Sequence, residues 1–201
     1  MTNIISLWTP YIWKFEYEFD TELMDSALEQ VSNHWSVNPE SSMIETGDSY
    51  STVRVGVHNW NQQPHCLPQL EFFNAWLEPI INKIWSECNL LQMKSEVSKS
   101  WFNVHNKTGQ TIEHLHTGTD LIVSAYVRCE KDSGNIEFRD PLEYQKVNSV
   151  WYREASLWQE VKVKTNDVLI FPGWIYHRTQ PNLTDTQRVV MTYNINGNPS
   201  L

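Results

Sequence analysis

The rhythm of apolar and polar residues changes near residue 96. Before it, strand-like and helical patterns alternate. Residues 11–17 read Tyr-Ile-Trp-Lys-Phe-Glu-Tyr, with aromatics at 11, 13, 15 and 17. That period of two predicts an amphipathic strand. From about 21 to 35, Leu23, Ala27, Leu28, Val31 and Trp35 form a helical stripe, and Asp20 or Thr21 can cap its start. Ser51–Val57 alternates like a short strand. A second helix is expected from about 69 to 89, with Leu70, Phe73, Leu77, Ile80, Ile81 and Ile84 on one side. Pro79 can kink or split it.

After residue 96 short strand-like runs follow one another, at roughly 97–105, 111–116, 121–128, 134–139, 158–164, 167–172 and 187–196. Turn residues separate them, among them Asn106-Lys-Thr-Gly109, Asp132-Ser-Gly134 and Thr165-Asn-Asp167. Strands of this number and spacing predict a mainly β sandwich or jelly roll. The earlier helices would pack outside one sheet. The expectation is a single domain over 1–201, with 1–96 as a supporting region and 97–196 as the jelly-roll core. The Tyr- and Trp-rich segment 140–158 reads as a loop over the barrel mouth.

Composition narrows the function classes. The formal charge of -9 argues against a binder of phosphate backbones, which needs a basic face. No run of basic residues suggests anionic lipid, and no 18-residue apolar stretch suggests a membrane span. Cys66, Cys88 and Cys129 form no CxxC pair. With no export signal evident in the first eight residues, they predict a reducing cytoplasm. Ten tryptophans suit a β-rich core or a groove with broad apolar walls.

The candidate chemistry centres on Glu113-His-Leu-His-Thr-Gly-Thr-Asp120. On a strand, His114 and His116 would project from one face and could grip one metal ion. Alone, HxH is a weak motif, equally readable as two polar residues on an edge strand. His177 strengthens it. It follows the apolar strand Asp167–Phe171 and the pair Pro172-Gly173, a position expected at a barrel rim. Imidazole ligates Fe, Zn, Cu and Ni, and three histidines on an octahedral ion leave half its positions open. Neutral imidazole is required, so binding is expected to weaken below about pH 6. Arg188 stands 11 residues beyond His177 and opens the run Arg188–Asn194. If the two residues sit on antiparallel neighbours, both face the barrel interior. A guanidinium there calls for an anion, such as a co-substrate carboxylate held in bidentate fashion. The alternative is a rim arginine paired with a surface acid. His105 is a weaker candidate to line the same pocket.

These residues resemble the 2-oxoglutarate/Fe(II)-dependent oxygenases, in a subfamily with HxH where most members have HxD. The resemblance runs through Trp101-Phe-Asn103, Gly109, His114-Leu-His116, Ser124-Ala-Tyr126, Ser133-Gly134, Phe138-Arg-Asp-Pro141, Phe171-Pro-Gly-Trp174, His177, Pro181-Asn182 and Arg188–Asn194. It covers roughly residues 98–196. It implies a double-stranded β-helix, Fe(II) on His114, His116 and His177, and 2-oxoglutarate with its distal carboxylate on Arg188. Tyr126 and Asn103 match positions that contact the co-substrate. It further implies use of dioxygen to oxidise a C–H bond of a small-molecule or peptide substrate, hydroxylation being the default. The departure is His116 where an acid is usual. Asp120 is the alternative carboxylate ligand, or an acceptor for a histidine N–H.

Two other readings compete. Gly109, His114, His116, Asp120, Pro172, Gly173 and His177 also resemble the order of a cupin-like dioxygenase or isomerase, which needs neither 2-oxoglutarate nor Arg188. A non-enzymatic jelly-roll binding module would use the tryptophans and leave the histidines incidental.

Overall fold

In a computed structural model, residues 10–34, 44–53, 63–90, 93–146, 148 and 157–199 are described. The strands are β1 (Trp13–Glu16), β2 (Glu45–Thr46), β3 (Ser49–Ser51), β4 (Met93–His105), β5 (Gln110–Thr111), β6 (Leu121–Arg128), β7 (Ile136–Arg139), β8 (Trp158–Val161), β9 (Asp167–Pro172), β10 (His177–Thr179) and β11 (Arg188–Pro199). Helices are α1 (Thr21–His34), α2 (Glu71–Glu87) and the single turn α3 (Glu143–Lys146). A major sheet runs β1-β9-β6-β11-β4-β3, a minor sheet β10-β7-β8, and β2 pairs with β5 alone. Every strand pair is antiparallel.

Strand parity divides the buried residues. Phe102, Val104, Val123, Ala125, Val168, Ile170, Met191 and Tyr193 turn outward to meet Met24, Ala27, Phe73, Leu77 and Ile81 of the two long helices. Their immediate neighbours Ile122, Tyr126, Leu169, Phe171 and Val190 turn inward against Ile136 and Phe138 of the minor sheet. Both faces of β6 and β9 are covered, which explains their near-continuous apolar runs. Each fully buried Leu, Ile or Phe contributes about 1.5–3 kcal/mol of transfer free energy. α1 is capped as the sequence suggests, Asp20 Oδ1 accepting from the Leu23 N–H at 3.0 Å. α2 runs through Pro79 as one helix.

The mainly β jelly roll with outside helices is present, but three local expectations change. Of residues 111–116 only Thr111 lies in a strand, at the end of β5. After β5 the chain changes partner every two or three residues, Ile112 bonding to Ile44, His114 to His177 and His116 to Gly173, so no ladder builds. His177 does not end a strand of the major sheet. It opens β10 in the minor sheet, so Arg188 on β11 faces it across the sandwich and is not its strand neighbour. Residues 140–158 contain α3 before β8 begins. Trp35, residues 54–57 of the expected short strand, and Trp151 lie outside the described residues.

Candidate metal centre

His114 is brought to His177 by a reciprocal backbone pair, His114 N to His177 O at 3.0 Å and His177 N to His114 O at 2.9 Å. His116 is placed by its N–H on Gly173 O at 2.9 Å, while Gly173 N reaches Asp120 O at 3.0 Å. Only glycine allows that approach: a Cβ on residue 173 would stand 2.3 Å from the Thr119 carbonyl oxygen. Extended bridging backbone thus does what a regular strand was expected to do.

One ring nitrogen from each of His114, His116 and His177 lies within 4.8 Å of the other two. The second nitrogen of each ring is engaged. Nδ1 of His114 meets Ile112 O at 2.8 Å, Nδ1 of His177 meets Ile175 O at 2.9 Å, and Nδ1 of His116 meets Asn194 Oδ1 at 3.0 Å. A carbonyl oxygen only accepts, so each Nδ1 carries the hydrogen and Nε2 keeps its lone pair. Burial is the main cause that lowers all three pKa values. His177, 5% exposed, is pushed well below the ordinary imidazole value, and His116 to about 4, with His114 adding repulsion to each. His114 is lowered as well, again chiefly by burial. Three neutral imidazoles with converging lone pairs fit a borderline transition-metal ion.

The cluster opens on a cavity of about 30 Å³, whose walls include Ile44, Trp101, Asn103, Thr111, Tyr126 and Thr179. Trp101 lies nearly parallel to the His116 ring, at 5.7 Å and 18°. Its Nε1 donates to Asn103 Oδ1 at 3.0 Å. Tyr126 is 1% exposed, and burial raises its phenol pKa far enough to keep it a neutral donor. Both residues singled out beside the histidines, Asn103 and Tyr126, therefore line the cavity.

Arg188 does not line it. Its guanidinium, 0% exposed, stands one hydrogen bond behind the wall, with Nη2 donating to Thr179 Oγ1 at 2.9 Å. Nη1 donates to Ser133 O at 2.5 Å and Gln180 O at 2.9 Å, and Nε to His105 Nδ1 at 3.4 Å. Gly134, at φ +88°, leaves the room for this seat: a Cβ there would be 2.5 Å from Nη1. Four of the five guanidinium hydrogens are taken, which leaves one on Nη2. The rim arginine paired with a surface acid is not what forms, since the four partners are carbonyls, a hydroxyl and an imidazole.

Asp120 is not drawn into the cluster. Its Oδ2 accepts from Gly197 N at 2.8 Å, at the far end of β11, and among the described residues no carboxylate joins the three histidines. Trp174 is 55% exposed, unlike Trp101. Thr111, Thr179 and Asn194 were not anticipated as site residues. Asn194 was detectable, lying on the Arg188 face of β11 by its even spacing. Thr111 and Thr179 carry no local signal, because cross-sheet contacts bring them in.

Residues 99–194 match a family model described as "Putative 2OG-Fe(II) oxygenase". Three solved structures share the architecture. A prolyl-4-hydroxylase from Pseudomonas putida has 11% identity, covers 92% of this chain and 93% of its own, and superposes with a TM-score of 0.57. SnoK, a non-heme alpha-ketoglutarate-dependent carbocyclase from nogalamycin biosynthesis, has 14% identity, 92% and 79% coverage, and a TM-score of 0.62. HygX from Streptomyces hygroscopicus, solved with nickel and 2-oxoglutarate bound, has 12% identity, 93% and 83% coverage, and a TM-score of 0.56. At such identities the likeness is one of fold. No curated protein matches the sequence. No helix among the described residues is long and apolar enough to cross a membrane.

Proposed function

We propose that this chain, whose residues 99–194 match the 2-oxoglutarate/Fe(II) oxygenase family, is a non-haem iron oxygenase that hydroxylates a substrate C–H bond. His114, His116 and His177 would hold Fe(II) through Nε2, and 2-oxoglutarate would extend from the metal toward Arg188. Together the iron and the co-substrate would couple oxidative decarboxylation of 2-oxoglutarate to oxidation of the substrate by dioxygen. The observation that carries the reading is the engagement of all three Nδ1 atoms, which leaves each Nε2 its lone pair, in three rings that each bring a nitrogen within 4.8 Å of the other two.

The chain's own residues set the rest. Three neutral ligands leave the ion's full positive charge uncompensated, which favours an anionic co-substrate. Trp101 stacks over one side of His116. Tyr126 and Thr179 offer hydroxyl groups from the cavity wall, and the spare Nη2 hydrogen of Arg188 lies directly behind Thr179. The cavity has room for about one or two waters, so co-substrate entry requires its wall side chains to give way.

The test is an anaerobic titration. Wild type loaded with Fe(II) should develop metal-to-ligand charge-transfer absorbance as 2-oxoglutarate is added. His177→Ala should lose iron binding by more than about a hundredfold, since even partners of metal ligands are worth about 10–100-fold. Arg188→Met should keep iron and weaken 2-oxoglutarate at least about a hundredfold, the equivalent of about 3 kcal/mol. Arg188→Lys should recover part of that loss. Iron binding without any 2-oxoglutarate-dependent absorbance would favour a cupin-like enzyme instead.

A further inference from the structure

Behind the metal cavity runs a buried polar chain that the oxygenase reading does not use. It starts at Glu45 on β2, outside the family-matched segment. The pairing of β2 with β5 sets Glu45 opposite Thr111. The Glu45 side chain is 3% exposed. Its carboxylate takes the Thr111 hydroxyl at 3.0 Å and Nε2 of His105 at 2.8 Å. A carboxylate has no hydrogen to give, so Nε2–H of His105 donates and Nδ1 bears the lone pair. That lone pair faces Nε of Arg188. Burial, the largest influence, and the Arg188 charge both lower the His105 pKa against the opposing pull of Glu45, so the ring between them is neutral. Burial lowers the Arg188 pKa, and Tyr126, Cys129 and Glu45 oppose it, so the Glu45 charge acts across the ring in favour of the Arg188 cation.

We infer that Glu45, acting through His105, is the resident counter-charge of Arg188, keeping the ligand-free site folded while holding down its affinity for the co-substrate carboxylate. The inference rests on the reading that Arg188 receives that carboxylate. A buried guanidinium without an anion is costly, and Glu45 one ring away offsets the cost. When a second carboxylate arrives, two anions share one cation. Their mutual repulsion across a low-dielectric interior then opposes binding. Neutralising Glu45 without changing its shape should therefore tighten co-substrate binding. A purely structural Glu45 predicts the reverse, or no change.

The experiment uses the full chain loaded with Fe(II), titrated anaerobically with 2-oxoglutarate and followed by charge-transfer absorbance. Read at saturating Fe(II), because the Glu45 charge also acts on His114, Glu45→Gln should lower the Kd for 2-oxoglutarate about tenfold, about 1.4 kcal/mol. Its ligand-free melting temperature should fall below wild type, and added 2-oxoglutarate should narrow the gap. Glu45→Asp, which keeps the charge, should bind 2-oxoglutarate nearly as wild type does. An equal or higher Kd in Glu45→Gln overturns the counter-charge role. If Glu45→Gln does not fold alone, Glu45→Ala takes its place with the same expected sign. Recovery of either neutral variant by 2-oxoglutarate supports the role, and failure of both with and without ligand overturns it. Wild type that binds iron but not 2-oxoglutarate sinks the oxygenase reading and this inference together. Normal wild-type binding with no tightening in Glu45→Gln sinks only the inference.

Discussion

On its helix side the major sheet buries Phe102, Val104, Val123, Val168, Met191 and Ile195, all apolar and packed on α1 and α2. On its barrel side the same strands bury or half-bury Asn103, His105, Ser124, Tyr126, Arg188, Thr192 and Asn194. The two faces differ by one residue in register along each strand. The first gains stability chiefly from apolar area, and its one phenol, Tyr193, is met by Asn74 Oδ1 at 3.0 Å. The second must answer each polar group with a partner, and where it does so the partners aim side chains at a shared point. Burial alone therefore does not mark a core. The antiparallel register does the sorting: Arg188 lies opposite His105, Thr192 opposite both Trp101 and Ser124, and Val190 opposite both Asn103 and Tyr126.

The largest effect should come from the helix side. Phe102 is fully buried there. Phe102→Ala should cost about 3–5 kcal/mol of folding free energy. The metal affinity of the folded protein should stay within about twofold, because the cavity walls come from the opposite parity. Urea unfolding and Co(II) titration of one preparation read both quantities. A large loss of metal affinity at unchanged stability would show that the two faces are not separable.

A pH series should expose the barrel side instead. Burial holds His114, His116 and His177 below the ordinary imidazole value of 6.5, with His116 at about 4. Protonation therefore favours the unfolded chain. Stability from these rings is fully present above about pH 6.5 and is lost as pH falls from there toward about 4. Metal-free protein should thus lose urea resistance between pH 6.5 and 4.5. Within the folded site, protons compete with metal only near the lowered pKa values, so metal affinity should hold well below the pH 6 expected of ordinary imidazoles. A flat metal-free profile over that range, or half-loss of metal binding near pH 6.5, would count against buried neutral rings.

Much of this was legible in local patterns. Helical spacing located α1 and α2, strand rhythm located β6, β9 and β11, and the HxH pair with a distant third histidine located the cluster. What escaped depends on contacts between distant segments. The tripeptide β10 is too short to stand out, and its pairing with β7 defines it. Expecting Arg188 beside His177 took adjacency in sequence for adjacency in a sheet, whereas the intervening turn crosses from one sheet to the other. Glu45 sits in a two-residue strand paired with residues 110–111, and no periodicity of so few residues could announce it.

The smallest and sharpest test uses two adjacent residues of β11. Asn194 faces the barrel, where its Oδ1 holds Nδ1 of His116, and Ile195 faces the helices at 1% exposure. Ile195→Val should cost about 0.5–1.5 kcal/mol of stability and leave metal binding alone. Asn194→Ala should do the converse. It frees the His116 ring to rotate or to move its hydrogen onto Nε2, where a lone pair is needed. Metal affinity should drop about tenfold, the low end for partners of metal-binding histidines, with stability changed by less than about 1 kcal/mol. Asn194→Asp should bind at least as tightly as wild type, because a carboxylate accepts the same hydrogen and makes the ring a stronger donor to the metal. Wild-type metal affinity in Asn194→Ala would mean that His116 is oriented by its backbone and by Trp101 alone. The polar partner on the barrel face would then be, like the apolar one on the helix face, a matter of packing.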